Sequence, residues 1–300
     1  MTIRSILVSA ALIVLSVVPR TVVRAEGISE KQFNDVLDLL EVIYKPEIEA
    51  RGGRLVISRL WENEDISAQA ILRSQQTYQL LMFGGLARHP LITQDAMALV
   101  ACHELGHLIG GAPRGNGGNR RSSLEAQADY FANLKCMRRI LSADGAASFT
   151  RPRGDDAVPR AACEQSFKSD SERAVCVRSI MAGMTVATVF HMSNKETGIL
   201  RFDTPDQAVV AETDDAHLAA QCRLDTFIAG ALCDRAIDDQ VDAADPAKGA
   251  CTAASGHKSG LRPLCWYKPS GEPAVPVWMT RPKTPAVLSS LQNQGLWQGL

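Results

Sequence analysis

Two histidines four residues apart, with a glutamate directly after the first, make the stretch His103-Glu104-Leu105-Gly106-His107 the densest chemistry in the chain. On an α-helix such a pair shares one face a turn apart, so His103 and His107 can offer two imidazole nitrogens to one tetrahedral cation. Glu104 then faces the open coordination position. A carboxylate there can take a proton from a water whose pKa the cation has already lowered. An ordinary amphipathic helix could carry the same residues, so the surroundings have to decide.

A third protein ligand is offered after a glycine-rich connection, GGAPRGNGGNRRSS at 110–123. The segment that follows, SLEAQADYFANLKCMRRI, carries Glu125 and Asp129 four apart and hence on one helical face. Eighteen residues separate His107 from Glu125, enough for one helix to end, a loop to turn back and a second helix to present a carboxylate to the metal. Asp129, one turn on, would accept the free ring N–H of His103 and fix its tautomer. One Zn²⁺ per chain, held by His103, His107 and Glu125 with water in the fourth position, is the expected cofactor.

The elements that must position these groups can be read from the pattern. Ala96, Leu99, Val100, Leu105 and Leu108 repeat at roughly helical spacing, Thr93 and Asp95 supply a start, and Gly110 with Gly111 ends the metal helix. Upstream, Phe33, Val36, Leu37, Leu40 and Ile43 predict an amphipathic helix over 27–44 that ends near Pro46. Two β-rich segments, 54–61 and 78–83, are separated by a polar stretch containing Asn63 and Glu64. Residues 142–171, rich in Gly, Pro, Ala and charge, predict an exposed excursion between helices, with a lid over the cleft as the sharper alternative. Further helices are expected over 172–192 and 212–233; the second bears His217 and Arg223. Either could steady the oxyanion of a peptide hydrolysis, while Arg223 paired with an acid is an equal reading.

HELGH followed by EAQAD resembles the gluzincin metallopeptidases, in particular the HtpX-like proteases and the CAAX prenyl endopeptidases. The upstream order is similar too: RLVISRLW at 54–61, ISAQA at 66–70, and YQLLMFGGLARH at 78–89. So is the spacing of His217 and Arg223, although Leu218 stands where that family usually has proline. The likeness spans roughly 33–232. It implies a zincin-like domain, α+β but mainly α, with a small β-sheet beside the metal helix, and an edge strand that binds extended substrate by adding it to the sheet.

Composition agrees with an exported chain. Residues 1–25 combine Arg4, an uncharged run over 6–18 and a Val-Arg-Ala end, as a secretory signal does; the run falls short of the ~20 residues a spanning helix needs. Removing it takes away three arginines and no acid, moving the formal charge from −1 to −4. So mild a balance favours neither nucleic acid nor an anionic membrane as partner and leaves a protein or peptide substrate. Eight cysteines in such a chain argue for disulfides. Local loops suggest Cys163–Cys176, Cys222–Cys233 and Cys251–Cys265, leaving Cys102–Cys136 to join the two metal helices.

The expected organisation is a signal peptide over 1–25, a metallopeptidase domain over 26–240 and a Pro/Gly-rich, disulfide-containing extension over 241–300. The expected activity is periplasmic or extracellular zinc endopeptidase, with Glu104 as general base. A chaperone-like or protein-binding module that keeps the fold but hydrolyses little is the alternative. The sequence leaves the oligomeric state open.

Overall fold

The computed structural model describes residues 27–74, 76–115, 122–216 and 218–269. The expected leader, His217, Trp278 and Trp297 lie outside the described residues. Among the described residues the fold is mixed α+β and mainly helical, with one three-stranded sheet.

The first helix, α1 (Glu30–Ala50), opens on a reciprocal cap: Ser29 Oγ accepts from the Gln32 amide, and Gln32 Oε1 accepts from the Ser29 amide at 2.9 Å. It runs through Pro46 instead of ending there. The proline removes only the bond to the carbonyl of Val42, on a face whose side chain is 71% exposed, so water can replace it, while Tyr44 and Ile48 anchor both sides in the core.

Strands β1 (Arg54–Leu60), β2 (Ala68–Ser74) and β3 (Thr77–Phe83) form a sheet of order β1-β3-β2, β1 parallel and β2 antiparallel to β3. β2 is the strand that the polar stretch concealed. Its side chains are half-exposed, so alternation is weak, and it lies at the sheet edge beside the cleft. A short turn of helix, α2 (Gly84–Ala87), leads into α3 (Gln94–Ile109).

Helix α3 is the hub of the molecule. Every α3 residue is buried except Val100 and His107, and it packs against α1, β2 and β3. A helix apolar nearly all round belongs in an interior, and this one is enclosed by later elements: α4 (Glu125–Phe131), a π-helical turn (Ala132–Cys136), α5 (Met137–Ser142), and α7 (Asp170–Ser193). α7 is long and apolar enough to cross a membrane by length and composition alone, but its Val175, Ile180 and Ala187 are buried within the protein.

Two expectations about the second half need correction. The excursion 142–171 contains a 3₁₀ turn (Asp144–Ala146) and a further helix, α6 (Ala157–Ser166), pinned to α7 by Cys163–Cys176. It packs on α7 and on α8 (Ala220–Leu232), and none of its residues lines the cleft. The last helix, α8, is shorter than expected (Ala220–Leu232), because residues 205–216 pair with the C-terminal segment through Val210 N–H to Leu264 O (3.0 Å) and Asp214 N–H to Trp266 O (2.8 Å).

Four disulfides are present: Cys102–Cys136, Cys163–Cys176, Cys222–Cys265 and Cys233–Cys251. The first two match expectation, whereas the pairings Cys222–Cys233 and Cys251–Cys265 do not occur. Cys222 lies on α8 and Cys233 at its end, eleven residues apart and so about 16 Å along the helix, far beyond what a disulfide spans. Each instead ties α8 to the segment after residue 245, whose Trp266 is wholly buried. Four bridges and no free cysteine among the described residues point to an oxidising, non-cytoplasmic compartment.

Candidate metal centre

Three helices converge on the site because glycines let two of them approach α4 closely. A Cβ on Gly106 of α3 would sit 2.9 Å from the carbonyl oxygen of Ala128, and one on Gly230 of α8 would sit 2.4 Å from that of Tyr130. α4 is thereby wedged between the helix carrying both histidines and the helix carrying Arg223. Cys102–Cys136 clamps α3 to the π turn that continues α4. Thr93 caps α3, its Oγ1 accepting from the Ala96 amide, and the buried Asp95 takes a two-pronged bond from Arg178 of α7 (2.6 and 2.9 Å).

The expected donors come together. His103 Nε2 lies 3.1 Å from His107 Nε2, and the two carboxylate oxygens of Glu125 each lie 3.4 Å from one of those nitrogens. Ligand atoms ~2.0–2.1 Å from a tetrahedral zinc stand about 3.3 Å apart, so each spacing is close to that of two donors on one zinc ion, with the Glu125 carboxylate straddling the two nitrogens, one oxygen to each. Two imidazoles with one carboxylate also suit zinc better than calcium or magnesium.

The hydrogen bonds behind the rings carry the stronger argument. His107 Nδ1 is 3.0 Å from the Ser123 carbonyl oxygen, which can only accept, so that nitrogen bears the proton. His103 Nδ1 is 2.7 Å from Asp129 Oδ1; the angle is too bent for an ideal bond, yet an unprotonated nitrogen there would face a carboxylate lone pair. Both rings therefore aim an Nε2 lone pair at the same point. Only a proton or a cation between them relieves that repulsion. Without a metal, one proton serves. Burial pulls the His103 pKa down, but the Asp129 carboxylate outweighs it and raises it to about 10, while burial and the charge of His103 lower His107.

Asp129 is wholly buried and binds on two sides, to His103 and, by a fork, to Arg223 (Nε to Oδ2 2.9 Å, Nη2 to Oδ1 2.8 Å). Arg223 in turn lies over the Phe190 ring at 4.4 Å and near Phe227 at 5.9 Å. Burial would raise the Asp129 pKa, but Arg223 and His103 hold it below the usual carboxylate range; the same cations overcome burial at Glu125. Glu104, 7% exposed in the cleft wall, has no such neighbour at bonding distance among the described residues, and burial lifts it to about 7. Neighbouring carboxyl groups thus hold opposite protonation tendencies at neutral pH.

The cleft over these residues has a volume of about 780 Å³. One wall is the β2 edge, residues 68–70; another is α7, through Val186, Val189 and Phe190. The role of α7 and the carbonyl of Ser123 had no signal in the sequence, since an apolar helix reads as core and a backbone acceptor has no residue type. Two other clusters of possible ligands, around Asp206 and Asp234, each depend on a disulfide-bonded cysteine and so cannot bind a metal through it. Comparison with protein-family models, with curated proteins and with solved structures finds no match for this chain.

Proposed function

We propose that the chain is an exported zinc metalloendopeptidase with a zincin-like fold, related in its working parts to the gluzincins. The observation that carries this reading is the close approach of His103 Nε2 and His107 Nε2, 3.1 Å apart, with the Glu125 carboxylate across both of them. Zinc bound by His103, His107 and Glu125 would supply an activated water and a Lewis acid for the scissile carbonyl.

The chain's own groups supply the rest. Glu104, poised at about 7, is suited to take a proton from water and return it to the leaving amine. Asp129 holds the tautomer of His103, and Arg223 holds Asp129. Two of the Arg223 nitrogens are engaged in that bond, so an oxyanion contact would fall to its remaining Nη1 or to His217. The outer edge of β2 offers main-chain groups to an extended peptide whatever its sequence, which favours a protein or peptide substrate. Four disulfides favour the periplasm or the extracellular space.

Purified mature chain should contain about one zinc and cleave casein, and Glu104→Gln should keep the zinc while losing at least 10²-fold in rate. Equal cleavage by both proteins would remove the peptidase reading; zinc binding with no cleavage by either would favour the protein-binding module.

A further inference from the structure

A second pocket, of about 310 Å³, lies at the C-terminal end of α3 and shares no lining residue with the metal cleft. The backbone bridge between Arg114 and Ser123 runs between them. Two arginines and a tyrosine line it, Arg51, Arg114 and Tyr78, and no acid does. Arg51 is already answered, its Nη2 donating to Glu47 (2.7 Å) and Gln240 (2.8 Å). Arg114 is different. Among the described residues it has no ion pair, and its Nε is buried without a hydrogen-bond partner. An uncompensated, half-buried guanidinium is costly, and a planar carboxylate is the group its fork fits best. Four of the other walls, Leu72, Leu108, Ile109 and Val241, are apolar.

We propose that this pocket binds a carboxylate carried on a short aliphatic body, with Arg114 as its anchor. One unanswered cation matches a monoanion; a phosphate dianion would leave excess charge against apolar walls. The mixture of apolar lining and a few directed polar groups is that of a small-molecule site. Such a carboxylate occurs at the C-terminus of a peptide ending in an aliphatic residue and on a free short-chain fatty acid.

The test is calorimetric titration of the mature, zinc-loaded chain with acetyl-leucine and with hexanoate, beside their neutral counterparts acetyl-leucine amide and hexanamide. At least one carboxylate should bind ten-fold or more tightly than its amide. Arg114→Gln should weaken that binding at least ten-fold, and Ala243→Trp, which fills the pocket from an exposed position, should do the same with Arg114 intact. Preference for acetyl-leucine identifies a peptide terminus as the source, and preference for hexanoate a free acid. Absence of binding, equal binding of the amides, or binding untouched by both substitutions (as coordination at the metal centre would be) overturns the proposal. Hydrolysis is not part of the readout, so the peptidase reading stands or falls separately.

Discussion

Replacing Asp129 with asparagine tests the centre at the point where its electrostatics meet. The change keeps shape but removes a charge from a wholly buried side chain that binds Arg223 at 2.8 and 2.9 Å and faces His103 Nδ1 at 2.7 Å. Two separate losses follow. Arg223, itself buried, is left without its counter-ion, and breaking a buried pair from one side costs about 3–5 kcal/mol; stacking on Phe190 recovers only part of that. For a domain of this size, each kcal/mol is worth roughly 2–4 °C, so the midpoint of thermal unfolding in EDTA should fall by roughly 6–20 °C. The other loss falls on the metal: without a carboxylate behind its ring, His103 is a weaker and less firmly oriented donor, and zinc affinity should drop about 10–100-fold. Chelator competition measures this on the folded variant at a temperature below its new midpoint. A fall in stability with unchanged zinc affinity would make Asp129 a packing residue only, and no change in either would refute the reasoning.

Without metal, stability should decline as pH rises from about 6.5 to 8, where His103 and Glu104 act in the same direction; the lowered His107 acts oppositely only below that window and Lys135, lowered to about 8, only above it. His103 is raised to about 10, so its contribution is complete below the unfolded value near 6.5 and disappears as pH climbs through 10; Glu104, raised by burial to about 7, begins to oppose folding above its ordinary value. Unfolding of the EDTA-treated chain across that range checks this, and the zinc-loaded chain should show a much flatter profile. Removing the clamp between the metal helices with Cys102→Ala and Cys136→Ala together opens a loop of 34 residues and should cost roughly 4 kcal/mol in chemical denaturation. Gly106→Ala places a methyl 2.9 Å from the Ala128 carbonyl oxygen; α3 and α4 must separate, with about 1–3 kcal/mol of destabilisation and weaker zinc binding. An unaltered zinc affinity there would show that the spacing between His107 and Glu125 does not depend on this contact.

Local pattern and chemistry were legible where a short stretch of chain carries its own geometry. Helical spacing alone puts His103 and His107 on one face, and Glu125 and Asp129 on another. Cys102 and Cys136 could be paired because both follow from those two helices facing each other. Local pattern was a poor guide where a partner distant in sequence decided the outcome. Pro46 stayed inside α1 because packing on both sides outweighed one lost bond. Cys222 and Cys233 were set apart by the rigidity of α8, a length that loop counting ignores. β2 was hidden because its half-exposed residues lack strong alternation, and pairing with β3 makes it a strand.

Residue types and their spacing thus determined which atoms could act: two imidazoles, a carboxylate to complete them and a glutamate beside the first. Tertiary structure alone decided how those atoms are held, because hydrogen-bond direction and desolvation depend on neighbours far along the chain. The Ser123 carbonyl behind His107, the Arg223 fork on Asp129, the aromatic rings over Arg223 and the α7 wall of the cleft that Glu104 lines all arise from helices folded around α3.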